Sequence, residues 1–231
     1  MNPRPDASGS GPGTITPDGC AVELYVRLPS RGEAELVHSA VPARASVLEL
    51  GCGTGRISTP LARLGHRVVG VDESHEMLMR CREIETVRSA IEDLDLDERF
   101  DVVLLPSHLV NSPEPLRTRL LESARRHLAP HGTVVIQRHR PGWVRTATDM
   151  SNDDGTIIST LTVLDRPEPD LLHARIRYES DGAVWEQEFV TRELVDEALP
   201  GVLAAAGLRL GRMLTETGDW FTAELDHAAT E

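Results

Sequence analysis

Three glycines at alternate positions form the segment of this sequence that is best suited to hold a ligand against its main chain. Gly51, Gly53 and Gly55 follow directly on the apolar run SVLEL (46–50). Glycine loses more conformational freedom on folding than any other residue, so this density of glycine indicates a backbone that closely approaches another group. A strand-to-helix turn without a ligand is the structural alternative.

The spacing of these glycines, together with a later carboxylate, favours a nucleoside without a diphosphate. A dinucleotide-binding loop reads Gly-x-Gly-x-x-Gly and would need glycine at position 56, where Arg56 stands. Asp72 ends the next apolar run about 20 residues after Gly51, the distance at which a carboxylate meets a ribose hydroxyl. The pattern therefore predicts a bound ribose and no pyrophosphate.

Two later segments carry side chains that could accept a proton from a substrate. His108 lies in SHLVN (107–111), and Arg138 and His139 lie in QRHRPGW (137–143). Imidazole is suited to general-base work near neutral pH. We predict His139 as the base, with His108 as the second candidate, and Arg138 could neutralise a substrate carboxylate. Structural or solvent-exposed imidazoles and a solvated arginine are the alternatives.

The side-chain types that the chain lacks exclude several chemistries. All 24 basic residues are arginine, which removes lysine Schiff bases and the P-loop lysine. The nine histidines lack the spacing of zinc ligands, and Cys20, Cys52 and Cys81 form no C-x-x-C pair. We therefore expect no metal and a reduced, cytoplasmic setting.

Charge and hydropathy narrow the range of partners. A formal net charge of -13 would repel a phosphate backbone, although an acidic balance is also typical of simple solubility. The sequence contains no apolar run near the roughly 18 residues that span a membrane, and its first residues lack the apolar stretch of a signal peptide. We expect no nucleic-acid or membrane partner, and a monomer or homodimer.

Alternating strand and helix patterns position the candidate residues. Short apolar runs typical of buried strands are separated by segments with helical periodicity. The expected strands are 46–50, 67–72, 86–91, 100–105 and 132–137, and the expected helices are 56–64, 73–82 and 113–129. This alternation predicts an α/β fold with a doubly wound, mostly parallel sheet, whose ligands lie beyond the carboxyl ends of the strands.

The pattern changes after the fifth strand. Segments 155–165, 171–179 and 183–190 alternate like half-buried antiparallel strands, and a helix and closing hairpin then complete seven strands in the main sheet. Three parts are predicted: a flexible tail at 1–16, a core with an N-terminal helical cap at 17–140 and 192–231, and an inserted antiparallel β layer at 141–191 within the same domain.

The glycine loop and two further segments resemble the class I S-adenosylmethionine-dependent methyltransferase family. ELGCGTG (49–55) is similar to the family's glycine loop, VVGVDESHEMLMRC (68–81) to its second strand and helix, and FDVVLLPSHLVN (100–111) to its fourth strand and exit loop. The resemblance covers about 46–138, and the ending at 192–225 is similar to the family's last elements. Together the three segments, in the family's order, imply a Rossmann-like methyltransferase fold.

The resemblance also implies which residues contact S-adenosylmethionine. The glycine loop and Glu49 would face its methionine part, and Asp72 would bind its ribose. The implied set is Glu49, Gly51, Cys52, Gly53, Gly55, Asp72, Glu73, Met77, Ile91, Glu92, Leu105 and Leu109. Met77 also lies on an apolar helical stripe, so core packing is compatible with the same position.

Acceptor contacts are expected from the strand exits and from the insertion. In small-molecule members of the family, a segment in the place of 141–191 often forms a lid. The predicted acceptor-binding residues are Tyr25, Asn111, Arg138, Trp143 and Trp185. For the aromatic residues of the insertion, packing of the added sheet is the alternative.

The resemblance implies an enzyme that transfers a methyl group from S-adenosylmethionine to N, O or C of a small metabolite, in secondary metabolism, and releases S-adenosylhomocysteine. A specific alternative is methylation of the amino terminus of a short peptide natural product. A fold relative that binds the cofactor without transferring methyl, as a cyclase or binding module, is a second hypothesis, and an NAD oxidoreductase is a third. None of these needs a metal.

Overall fold

A computed structural model of the chain describes residue 4 and residues 7–226. The chain divides into two compact units, each built from two stretches of sequence. The larger unit comprises Ser30–Pro141 and Leu194–Glu231, and the smaller unit comprises Met1–Pro29 and Gly142–Glu193. The larger unit therefore contains the glycine loop and both candidate histidines.

The strands and helices are numbered in chain order. The strands are β1 (Ser8–Ser10), β2 (Ser46–Leu50), β3 (Arg67–Asp72), β4 (Glu85–Arg88), β5 (Phe100–Leu105), β6 (Leu128–Gln137), β7 (Met150–Asp153), β8 (Ile158–Glu168), β9 (Leu171–Ser180), β10 (Ala183–Arg192), β11 (Leu208–Met213) and β12 (Trp220–Leu225). The helices are α1 (Val22–Tyr25), α2 (Glu33–Ala40), α3 (Ser58–Arg63), α4 (His75–Leu78), α5 (Leu116–Arg126), α6 (Trp143–Thr146) and α7 (Leu199–Ala205). Single 3-10 turns occur at Ile91–Asp93, Leu109–Asn111 and Asp196–Ala198.

The larger unit is built on a mixed seven-stranded sheet in the order β11-β12-β6-β5-β2-β3-β4. Strands β6, β5, β2, β3 and β4 are parallel, whereas β12 is antiparallel to both β6 and β11. The strand order reverses between β2 and β5. Ligands of doubly wound sheets bind at such a reversal, so the loops that leave β2 and β5 are the expected site.

Both faces of this sheet are covered, which explains why its strands are apolar without strict alternation. On one face Val47 and Leu104 pack with residues of α2 and α3. On the other, Leu48 and Leu50 pack with residues of α5 and α7. Successive residues of β2 thus enter opposite cores, as the period of two of a strand requires.

The smaller unit is an antiparallel sheet in the order β1-β10-β9-β8-β7. One face of this sheet is apolar: Leu172 and Ala174 of β9 pack around Val144 of α6, and Trp185 of β10 packs with Leu24 of α1. On the opposite face, Arg175 and Arg177 of β9 form ion pairs with Glu188 and Glu186 of β10. The alternation that predicted this layer therefore corresponds to one buried and one polar face.

Part of the expected flexible tail is ordered. Ser8–Ser10 form an edge strand whose partners are Glu186–Glu188 of β10, and Thr16 is buried. Strand β7 was not expected either, because its residues Met150–Asp153 are all exposed and carry no apolar alternation. The described residues before Ser30 group with the insertion instead of capping the core. Residues 1–3, 5 and 6 of the predicted tail and 227–231 of the predicted core lie outside the described residues.

Among the residues that the structure describes, no helix is both long and apolar enough to cross a membrane.

Candidate functional site

The glycine loop leaves β2 in a conformation that only glycine adopts without strain. Gly51, Gly53 and Gly55 have φ angles of +75°, +54° and +84°. At Gly51 an added Cβ would lie 3.0 Å from Cδ1 of Leu109 and 3.5 Å from Cδ1 of Ile91. Gly51 therefore packs against side chains from the loop after β5 and from the segment after β4, as the reversal in strand order predicts.

Asp72, at the end of β3, holds the glycine loop in place. Its Oδ2 accepts a hydrogen bond from the Gly53 amide at 2.9 Å, and its Oδ1 accepts one from the Ser74 amide at 2.8 Å. Ser74 in turn caps α4, since its Oγ accepts from the Met77 amide at 3.2 Å. One carboxylate thus fixes both the loop and the start of the following helix.

Two buried thiols pack behind the loop. A Cβ on Gly70 would lie only 2.7 Å from Cys52 Sγ. Strand β3 therefore needs glycine at this position for the loop to pack against it. Cys81 Sγ donates to the Gly53 carbonyl at 3.2 Å. The hydrogen bond with Cys81 and burial raise the pKa of the Cys52 thiol well above its usual value, so this thiol stays protonated. Cys52 therefore supports the loop as a packing residue.

Glu49 is a buried carboxyl group at the end of β2, with 2% of its surface exposed. Burial raises its pKa to about 7, although a hydrogen bond from the Ser58 hydroxyl and the nearby charge of Arg56 act in the opposite direction. Arg56 itself forms an ion pair with Glu33. A carboxyl group that titrates near neutrality beside the glycine loop is suited to receive a ligand's ammonium group.

Glu49 gives the folded protein a specific pH dependence. Because its folded pKa lies above its unfolded value of 4.5, its contribution to stability is present below that value and is lost as the pH rises to about 7. We expect the free energy of unfolding of the wild type to fall relative to Glu49→Gln by up to about 3 kcal/mol over this range. Urea unfolding of both proteins at several pH values measures this difference. Parallel pH curves would assign Glu49 an ordinary pKa.

His108 and His139 form a stacked pair of imidazoles beyond the ends of β5 and β6. Their ring centroids lie 4.2 Å apart with an interplanar angle of 7°. Both rings are partly buried, and burial is the main reason that their pKa values fall, to about 4 for His108 and about 2 for His139. At neutral pH both imidazoles are therefore uncharged and able to accept a proton.

The charges around the stack act on the two rings differently. Asp219 and Glu33 raise the pKa of His108, whereas Arg56 lowers it, and burial outweighs all three. The pKa of His139 is affected chiefly by burial and by His108 itself. The two histidines lie in separate segments of the sequence, and no local pattern indicates that they stack.

Asn111, predicted to bind the acceptor, is 1% exposed. Its Oδ1 accepts a hydrogen bond from the His139 amide at 2.8 Å, so it links the loop after β5 to the loop after β6. Gln137 makes the reciprocal link, because its Oε1 accepts from the Ser107 amide at 2.8 Å. The structure thus places Asn111 next to the histidine pair as a support for the loop.

Arg138 is fully buried, and its guanidinium is bonded to protein groups. It donates to the carbonyls of Gly218 at 2.8 Å and Leu194 at 2.5 Å, and it pairs with Asp196. The strand period puts Arg138 on the face opposite its two neighbours, and the structure places it in the protein interior. We therefore omit Arg138 from the acceptor site proposed below.

The remaining implied cofactor contacts all lie in the larger unit. Leu105 and Met77 are buried in the larger unit, and Ile91 and Leu109 flank Gly51. Glu73 and Glu92 lie immediately after β3 and in the 3-10 turn at 91–93.

Tyr25, Trp143 and Trp185 lie in the smaller unit. Trp185 is 1% exposed and its indole N–H donates to the Pro12 carbonyl at 2.9 Å, so it packs in that unit's core. Tyr25 accepts a hydrogen bond from the Cys20 thiol at 3.0 Å. Trp143 begins α6 and packs against the cluster around Val144.

Several contributors to the site were not identified from the sequence. Ser58, Ser74 and Gln137 were not predicted to take part in the site. Asp219 was missed because it follows β11, far along the chain, and its carbonyl accepts from the Arg138 amide at 2.8 Å. Within the described residues, no group of three or more potential metal ligands comes together.

Comparison with known proteins agrees with this geometry. A family model described as a methyltransferase domain matches residues 47–132, from β2 into β6. The CcbJ methyltransferase of Streptomyces caelestis has a similar structure, with a TM-score of 0.73 and 25% identity over 88% of this chain and 95% of that one. The chain carries a methyltransferase domain and is similar in sequence and fold to class I S-adenosylmethionine-dependent methyltransferases. The Rossmann-like fold inferred from the sequence is thereby confirmed.

Curated relatives of this methyltransferase match over shorter spans. It is 35% identical over 133 residues to a cypemycin N-terminal methyltransferase from a Streptomyces species, which covers 52% of this chain and 54% of that protein. It is 31% identical over 108 residues to a ubiquinone biosynthesis O-methyltransferase of Bradyrhizobium diazoefficiens, which covers 42% of this chain and 41% of that protein. The chain thus spans about half the length of the curated relatives that it matches.

Proposed function

We propose that this chain transfers a methyl group from S-adenosylmethionine to an amine nitrogen of a small secondary metabolite or short peptide. The observation that carries the proposal is the stacked, uncharged pair His108 and His139, together with a glycine loop whose three glycines have positive φ angles. The pair offers a proton acceptor, and the loop offers bare main chain for a nucleoside. No metal is required.

The residues at the carboxyl ends of β2 and β3 fit the proposed cofactor. Gly51 has no room for a Cβ, because Leu109 and Ile91 pack against it, and Glu49 is a buried carboxyl group able to pair with the cofactor's ammonium group. Asp72, already bonded to the Gly53 amide, would hold the ribose. When bound there, S-adenosylmethionine supplies an electrophilic methyl group on a sulfonium with a neutral leaving group.

The remaining work of the protein is to orient the acceptor and remove its proton. Holding two reactants in attack geometry is worth about 7–11 kcal/mol. An amine is protonated near neutral pH and has no free lone pair until its proton leaves. Either imidazole can take this proton, because both are uncharged.

The pKa of His108 favours an amine over a hydroxyl group as the acceptor. Burial lowers the pKa values of both histidines, so proton transfer to either ring is far less uphill from a peptide amino terminus than from an alkyl hydroxyl group. The amine is therefore the easier of the two acceptors to deprotonate.

A peptide amino terminus is the more specific candidate. The cypemycin relative acts, by its name, on an amino terminus, and it is more similar to this chain than the O-methyltransferase is. The formal charge of -13 would also attract a cationic acceptor. Asn111 remains a predicted support for that acceptor.

Isotope-labelled methyl transfer tests this function. The protein is incubated with labelled S-adenosylmethionine and a set of short peptides, each also supplied with an acetylated amino terminus as the matched control, together with aminosugars and hydroxy acids. We expect label on free amines only. Label on the hydroxy acids would overturn the amine assignment. Binding of S-adenosylhomocysteine with no labelled acceptor at all would favour the non-transferring alternative.

Removing the predicted base should slow turnover without weakening cofactor binding. We expect His139→Ala to lower kcat by about 10²–10⁴-fold, the usual contribution of a general base, and to leave the Kd of S-adenosylhomocysteine unchanged. His108→Ala is the paired variant, and a larger loss there would assign the base to His108. Unaltered rates in both variants would show that positioning alone drives the reaction.

A further inference from the structure

The loops that carry the stacked histidines are joined by two reciprocal hydrogen bonds. Gln137, at the end of β6, accepts from the Ser107 amide in the loop after β5. Asn111, which like Ser107 lies in the loop after β5, accepts from the His139 amide in the loop after β6. Each loop therefore contributes one side chain that fixes the backbone next to the other loop's histidine.

The backbone of the loop after β5 is strained. Ser107 and His108 are consecutive residues with φ angles of 57° and 61°, in the left-handed region that side chains other than glycine rarely occupy. Residues in this region persist only where their surroundings hold them. The hydrogen bond from the Ser107 amide to Gln137 is such a restraint, and Ser107 directly precedes His108 in the sequence.

We propose that Asn111 and Gln137 are positioning residues, whose paired hydrogen bonds hold His108 and His139 in a stack so that one imidazole faces the acceptor. This inference rests on the proposed amine methylation. Neither side chain needs to touch the substrate. Asn111 is 1% exposed, and its Oδ1 accepts from the His139 amide, so it can act through His139.

The stack has two separable consequences. Parallel rings at 4.2 Å shield each other from water, which keeps both imidazoles uncharged. Once released, each ring would turn towards solvent and regain a more ordinary pKa. The charged groups that face His108 are Asp219, Arg56 and Glu33, and of these two are acidic, so release would favour protonation.

Two isosteric variants and one conservative variant test the inference. Asn111→Leu and Gln137→Met remove the accepting oxygens and nearly keep side-chain volume, while Asn111→Asp retains an acceptor for the His139 amide. Thr222→Val is the matched control, because Thr222 is also buried and its Oγ1 accepts from the Arg212 amide at 2.9 Å in the same unit. Asn111→Leu and Gln137→Met thus each remove a side-chain oxygen that binds a backbone amide next to one of the histidines. Thr222→Val removes such an oxygen elsewhere in the unit.

The first readout is the titration of the two imidazoles by nitrogen-15 NMR, which needs neither cofactor nor acceptor. In the wild type and in Thr222→Val, both rings should stay uncharged down to about pH 4. In Asn111→Leu and Gln137→Met we expect their midpoints to move up towards 6.5. Midpoints that remain at the wild-type values in both variants would overturn the inference.

The second readout is the division of kinetic effects. We expect Asn111→Leu and Gln137→Met to lower kcat by about 10- to 100-fold with the Kd of S-adenosylhomocysteine unchanged, since small displacements of a reacting group cost this much. Asn111→Asp should restore most of the turnover. A loss of cofactor affinity that parallels kcat, or no rescue by Asp, would indicate a merely structural link. If no acceptor is ever labelled, the proposed function fails, while the NMR result still decides whether the links hold the stack.

Discussion

Asp72→Ala is expected to weaken binding of S-adenosylhomocysteine by about 5- to 150-fold, equivalent to about 1–3 kcal/mol. The carboxylate accepts hydrogen bonds from the Gly53 and Ser74 amides, so its removal leaves two main-chain donors without their acceptor. The glycine loop and the first turn of α4 would then both lose their fixed positions. Isothermal titration calorimetry at constant pH measures the change in affinity.

Two comparisons separate cofactor binding from general damage. Asp72→Asn keeps one accepting oxygen and should lose less affinity than Asp72→Ala. Asp101→Asn is the control, because the Asp101 carboxylate also accepts a main-chain hydrogen bond, from Ser46 at 2.8 Å, but at the beginning of β5 instead of the end of β3. Equal losses for Asp72→Ala and Asp101→Asn would contradict a role for Asp72 at the ligand.

Arg138→Met is expected to lower the free energy of unfolding by about 3 kcal/mol, because it removes three hydrogen bonds from a fully buried guanidinium. The carbonyls of Leu194 and Gly218 would lose a charged donor that water cannot readily replace. In a domain of this size such a loss lowers Tm by roughly 6–12 °C. Urea and thermal unfolding measure both quantities.

Arg209→Met provides the matched control for this substitution. Arg209 is also paired, with Glu224, but its side chain is 56% exposed. Exposed pairs contribute about 0–1 kcal/mol, so this variant should unfold close to the wild type. Wild-type stability in Arg138→Met would mean that the buried guanidinium costs as much to desolvate as its hydrogen bonds return.

The bounds of three parallel strands were predicted correctly from the sequence, because burial alone defines these strands. Segments 46–50, 67–72 and 100–105 are continuous apolar runs, and the structure forms strands with the same bounds. Elements defined by pairing alone were not predictable. Ser8–Ser10 and Met150–Asp153 are polar and exposed, and they are strands only because neighbouring strands provide partners for their main chain.

The candidate site was predictable in part. The glycines and Asp72 can be identified from their spacing in the sequence, because the loop conformation that they form is local. The environment of Arg138 depends on carbonyls of Leu194 and Gly218, which are distant in sequence, so no local pattern could distinguish a buried arginine from a solvated one. The links through Asn111 and Gln137 were hidden for the same reason.

The order of strands in the large sheet also bears on how a nascent chain folds. Strand β12, residues 220–225, occupies an interior position between β11 and β6. Until those residues leave the ribosome, β6 presents an unpaired edge, although all five parallel strands are already synthesised. During translation this apolar edge is open to pairing with other chains, so we expect a chaperone to bind the nascent protein at this stage.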